Sequence, residues 1–151
     1  MGINCLCLGR NHWQVVIVSR SAKPVLTCTG KDLVFEDLEL QQSCSETPTD
    51  CVSVAKGGVC LRNVVVKSLL GSGLVVSGSK VIASVDSCTF TAGQYGCLVR
   101  EGGSVEAKDT TAEDCKAAGI VSRGKGSTFR AETCIIQNNG KLPLPRWLLG
   151  V

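Results

Sequence analysis

Rings are scarce in this chain: three Phe, two Trp and one Tyr make up 4% of 151 residues, and there is a single histidine. So few aromatics leave little material for the stacking platforms of a sugar groove. No apolar run reaches the roughly 18 residues that a membrane span requires. A basic patch followed by an apolar core and a small-residue cleavage site is missing from the N-terminus, so secretion has no support and a cytoplasmic location is expected. Met1-Gly2-Ile3-Asn4-Cys5-Leu6 opens like an acylation signal, yet Leu6 stands where the myristoylation pattern wants Ser or Thr. The plain reading is the start of a strand. Charge of one sign is also lacking: the formal net charge of +3 is small and spread along the chain, which argues against nucleic acid. An apolar i, i+3, i+4, i+7 pattern nowhere persists for the length of an ordinary helix.

What the sequence does have is glycine, with 17 residues, cysteine, with 10, and a repeat. Gly73-Leu-Val-Val-Ser-Gly78, Gly96-Cys-Leu-Val-Arg-Glu-Gly102 and Gly119-Ile-Val-Ser-Arg-Gly124 align with leading glycines at 73, 96 and 119, a step of 23. The same step back from Gly73 reaches Asp50, which opens a similar segment. A fixed period of this length marks supersecondary units that bury a core only by stacking. Within each copy the apolar residues alternate, as at Leu74 and Val76, Cys97 and Val99, Cys134 and Ile136, which is strand spacing. Gly, Ser, Asn and Asp separate the runs and turn the chain. One period holds three short strands and three turns, a full circuit of a three-sided parallel coil. Successive circuits then lie ~4.8 Å apart, with columns such as Cys88, Thr110, Cys134 and Phe90, Ala112, Ile136 pointing inward.

This layout resembles the right-handed parallel β-helix of the pectin-lyase-like superfamily, over most of the chain. The expected fold is therefore all-β: a right-handed single-stranded parallel β-helix of about five to six coils, with 22–26 residues per coil. It is expected to fill residues 1–140. Val25 to Phe35 aligns with Cys51 to Leu61 at a shift of 26, so that coil is longer than its successors, and the excess falls in a loop at residues 43–50. Stepping back 22 from Phe35 and Val25 reaches Trp13 and Ile3, which predicts a partial, irregular first coil. Residues 141–151, with two prolines and a Trp-Leu-Leu cluster, read as a C-terminal cap or tail.

The cysteines recur at matched places in successive coils and read as reduced, buried, apolar residues. Cys44 and Cys51 bracket the 43–50 loop and would close it if oxidised.

The resemblance implies polysaccharide lyases or hydrolases as relatives. Such chemistry needs clustered carboxylates, or calcium carboxylates beside a basic residue. The Asn-Thr-Asp, Asp-Asp, Gly-His-Gly and Arg-Ile-Lys signatures of polygalacturonase-like members are all missing. Acidic candidates are Glu101, Glu106, Asp109, Glu113 and Asp114, and Asp86 and Asp109, 23 apart, are expected ~5 Å from one another on one face. No calcium motif accompanies them, so solvated neighbours are the simpler reading. His12 has no partners at ligand spacing. Cys5-x-Cys7 lacks the second pair that zinc wants. The turns Lys56-Gly57-Gly58, Gly102-Gly103 and Gly124-Lys125-Gly126 precede no helix and are not phosphate loops. No catalytic, cofactor or metal residue is assigned.

One surface feature remains. Arg100 and Arg123 occupy equivalent positions one coil apart, a candidate partner-binding stripe. The resulting expectation is a non-enzymatic repeat module that scaffolds a protein partner, as implied by similar coils in F-box substrate adaptors and Shc SH2-domain-binding proteins. Alternatives are a fragment or degenerate member of a polysaccharide lyase or hydrolase family, or a structural surface protein. Glycan or small-molecule binding has no residue to support it.

Overall fold

A computed structural model describes residues 15–140 in full and residues 4–7 as backbone. The expected cap at 141–151, and His12 and Trp13, lie outside the described residues. Fifteen strands, β1 to β15 in chain order, and no helix make up the described residues.

The first face stacks β3 (Leu26–Cys28), β5 (Val52–Val54), β7 (Leu74–Ser77), β10 (Tyr95–Arg100) and β13 (Ala118–Arg123), all parallel. Long strands β4 (Leu33–Gln42) and β6 (Gly58–Ser68) bend once and supply two further faces. The leading half of β6 continues into β8 (Ile82–Asp86), β11 (Ser104–Lys108) and β14 (Thr128–Glu132). Its trailing half continues into β9 (Thr89–Thr91), β12 (Thr111–Glu113) and β15 (Ile135–Gln137). The bend is one residue in left-handed conformation per coil: Asp37, Asn63, Ser87, Asp109 and Thr133, with φ of 46° to 55°. Asp and Asn tolerate that conformation best, and Asn63 Nδ2 donates to Asp37 Oδ1 at 2.7 Å across the stack.

The alternation seen in the sequence becomes rungs. Leu74, Cys97 and Ile120 are register partners on the first face. Ile17, Leu40, Val66, Phe90, Ala112 and Ile136 form a column on the third. Leu40, Val66, Phe90 and Ala112 are sealed within it, whereas Ile136, at the end, is 55% exposed. Each buried Val or Leu contributes about 1.5–3 kcal/mol relative to exposure, and only interior rungs receive all of it. Glycine holds the sharp corner before the first face: a Cβ on Gly73 would stand 2.6 Å from the Gly96 carbonyl, and one on Gly96 the same distance from that of Gly119.

Coil length varies as the spacing implied. The first face steps by 26 (Leu26 to Val52), 22 (Val52 to Leu74), then 23 and 23. The second face steps by 24 (Gly58 to Ile82), 22 (Ile82 to Ser104) and 24 (Ser104 to Thr128), because the turn from Ser77 to Ile82 is a residue longer than that from Arg100 to Ser104.

Two sequence expectations change. The partial parallel first coil is replaced by a hairpin: β1 (Asn4–Cys7) pairs antiparallel with β2 (Val15–Ser19), which in turn pairs parallel with β4, Val15 opposite Leu38. Seven intervening residues are too few for a parallel crossover, and the antiparallel strand covers the edge of β2. Asp86 and Asp109 do not face one another either. The local step of 22 sets Asp86 opposite Lys108 and leaves Asp109 at the bend.

Gly96→Ala is expected to destabilise the fold by about 2–3 kcal/mol through overpacking against backbone. Gly58→Ala, whose new Cβ meets only the Ile82 carbonyl at 3.4 Å, should stay within about 0.5 kcal/mol of the parent. Denaturant unfolding of the two variants checks the contrast, and equal losses would contradict the rung assignment.

Candidate functional site

The turns that join the first face to the second stack on one edge. Gly58 N donates to the Gly30 carbonyl, Ile82 N to that of Gly57, Ser104 N to that of Val81 and Thr128 N to that of Gly103, at 2.9–3.2 Å. Arg100 and Arg123 end their strands at this edge and are register partners, as their spacing predicted. With Glu101, Gly124 and Lys125 they line a shallow, open recess. Arg123 and Lys125 are exposed, while Arg100 is half-buried and its Nε is sealed from solvent with no hydrogen-bond partner among the described residues. Glu101 lines the same recess but forms no ion pair with either arginine among the described residues; its Oε2 accepts from Ser77 Oγ at 2.5 Å, one coil below. Two like charges ~5 Å apart repel by roughly 0.8 kcal/mol in water, a cost that an anionic partner would reverse.

Sequence reasoning missed that the edge is basic along its length. Lys31, Lys56 and Lys80 sit in the three preceding turns, all exposed. The signal was a lysine within or beside four of the five glycine-marked turns, at Gly30-Lys31, Lys56-Gly57, Gly78-Ser79-Lys80 and Gly124-Lys125, the turn at Glu101-Gly102-Gly103 having none.

On the second face several cations have carboxylate partners. Along one outward row of the second face the register sets Glu36, Arg62, Asp86, Lys108 and Glu132 in alternating sign. Arg62 meets Glu36 at 2.7 Å, Lys108 meets Glu132 at 4.0 Å and Arg130 meets Glu106 at 3.9 Å. The remaining acidic candidates separate: Glu113 accepts from Gln137 Nε2 at 2.8 Å, and Asp114 is an exposed corner residue with φ 54°. Among the described residues no three His, Cys, Asp or Glu converge as a metal would need. Cys5 and Cys7 fall on β1, whose side chains lie outside the described residues.

A family model described as a right-handed beta helix region matches residues 26–142. The chain belongs to the right-handed beta helix family. No curated protein and no solved structure matches it. In this beta helix the thiols are core material. Burial pushes Cys51 and Cys97 up to about 12 and Cys88 and Cys115 up to about 11, and it raises Cys28 as well. Cys44 and Cys51 are both buried free thiols. No helix of the beta helix is long and apolar enough to cross a membrane, among the described residues.

Glu39 is the one buried carboxylate among the described residues. Burial raises its pKa, but the Lys67 ammonium at 2.7 Å and the Gln41 amide together outweigh that, leaving it below the ordinary 4.5. A depressed folded pKa contributes stability that is complete above pH 4.5 and is lost as pH falls through the folded value. Lys67→Met should therefore cost about 1 kcal/mol at pH 7, the ammonium being partly solvated. The gap from the parent should close as Glu39 protonates in acid. Urea unfolding across pH checks this, and a gap independent of pH would contradict it.

Native alkylation at pH 8 should modify Cys60 and Cys134, which are half-exposed, and spare Cys28, Cys51, Cys88, Cys97 and Cys115 until denaturant is added. Peptide mapping by mass spectrometry reads the pattern, and rapid native labelling of Cys97 would contradict the packed core.

Proposed function

We propose that this β-helix is a non-enzymatic protein-interaction module, working in the cytoplasm as a rigid scaffold that presents a basic stripe at Arg100 and Arg123. The observation that carries the reading is the pairing of like charges: the two arginines stand in register, while nearby cations on the second face lie against carboxylates. Keeping adjacent positive charges uncompensated opposes folding slightly and favours an anionic partner. A solenoid suits that task, since its faces are flat, rigid and repeat at the strand spacing. Asp86, Glu106 and Glu132 do line one open groove on the second face, but Lys108 and Arg130 line it with them and lie against Glu132 and Glu106, so a glycan-cleaving reading gains only charge-compensated carboxylates there.

Pull-down from native lysate with the parent chain and with Arg100→Glu/Arg123→Glu tests this. At least one partner identified by mass spectrometry is expected to fall tenfold or more, with the melting temperature unchanged. Retention of every partner at parental level would refute the stripe.

A further inference from the structure

The basic edge extends over five coils, about 19 Å at the strand spacing. It gathers Lys31, Lys56, Lys80, Arg100, Arg123 and Lys125 against two carboxylates, Asp32 and Glu101. Six cations against two anions exceed the formal +3 of the whole chain, so the rest of the sequence is net negative. None of the six takes part in an ion pair among the described residues. The edge is thus a concentrated positive field on a chain whose remainder carries a slight net negative charge.

Beside it, on the second face, lies an open groove of about 460 Å3. Gly58 lines it, and with no side chain there the backbone is bare; Val34 and Ile82, 53% and 52% exposed, line the groove too, as does Cys60. Lys31, Lys80 and Asp32 also line it. Exposed aliphatic side chains beside a gap that a glycine leaves, next to unpaired lysines, form one surface with two chemistries.

We propose that the edge and groove dock an extended acidic polypeptide segment, its carboxylates on the lysines and one aliphatic side chain seated over Gly58. Charge complementarity selects an anionic occupant. The aliphatic lining selects a peptide among anionic polymers, because sugars and bases are held largely by stacking on rings and no aromatic residue lines the groove. Geometry agrees: alternate residues of an extended peptide lie ~7 Å apart and successive coils ~4.8 Å, a difference that flexible lysine stems span. This inference rests on the interaction-module reading and names the chemistry of its partner.

The test uses the full chain and a labelled synthetic peptide in which glutamates flank one central leucine, read by fluorescence anisotropy. Saturable binding that weakens as salt rises is expected. Lys31→Glu/Lys80→Glu should weaken it tenfold or more, and so should Gly58→Leu and a peptide carrying alanine in place of its leucine, with melting temperatures unchanged. Bound peptide should also shield Cys60, but not Cys134, from alkylation. Lack of saturable binding overturns the proposal. So does binding indifferent to the lysines and to Gly58, or capture of anionic vesicles or a sulfated polysaccharide where the peptide fails. Should Arg100→Glu/Arg123→Glu strip a partner while the peptide ignores Lys31, Lys80 and Gly58, the module reading stands and the groove assignment falls. Peptide binding as expected, with no partner dependent on the arginines, gives the reverse.

Discussion

Every coil in this protein depends on its neighbours for its backbone hydrogen bonds. A strand of three to six residues such as β5 or β10 has no partner within its own circuit, and its amides and carbonyls are satisfied only by the rungs above and below. That constraint forces register, and register forces like positions into columns. Apolar positions become a continuous core from Cys28 to Ala112. Corner positions become stacks of left-handed residues or of glycines too close to one another for a Cβ. A rung placed at the end of the array loses half of this, as the exposure of Ile135 and Ile136 shows.

The same stacking acts on charge. Where outward residues sit in the sheet, the chain alternates sign from one coil to the next, as from Glu36 through Arg62, Asp86 and Lys108 to Glu132, and attraction across ~5 Å replaces repulsion. At the edge between the first and second faces it does the opposite. Arg100 lies over Arg123, and lysines fill the turns below. Turns tolerate nearly any polar residue, so stability alone does not call for cations there, and the binding role proposed above would.

The repeat was legible because inward columns need the same kind of residue in every coil, and Leu74, Cys97 and Ile120 kept an even step. The loop before Asp50 and the 26-residue shift were legible for the same reason. Asp86 and Asp109 misled because the turn before β11 is a residue shorter than the turn before β8, so a step that holds on one face fails on the next. The antiparallel β1 left no trace in spacing, since a strand alternates identically in either direction. At the functional surface, the arginine pair was visible as an aligned position. The lysines were not, because turn residues drift in alignment by one or two places and only the stacked backbone brings Lys31, Lys56 and Lys80 to one edge.

The parallel rung register is the claim on which fold, edge and groove all stand, and nuclear Overhauser contacts in isotope-labelled protein test it most directly. The account predicts interstrand backbone contacts linking Val75 to Leu98 and Leu98 to Val121 on the first face. On the second it predicts contacts linking Ala83 to Val105 and Val105 to Phe129, all with parallel-strand geometry. Contacts of antiparallel type between these strands, or sequential amide contacts of a helix through residues 74–77 or 95–100, would contradict it.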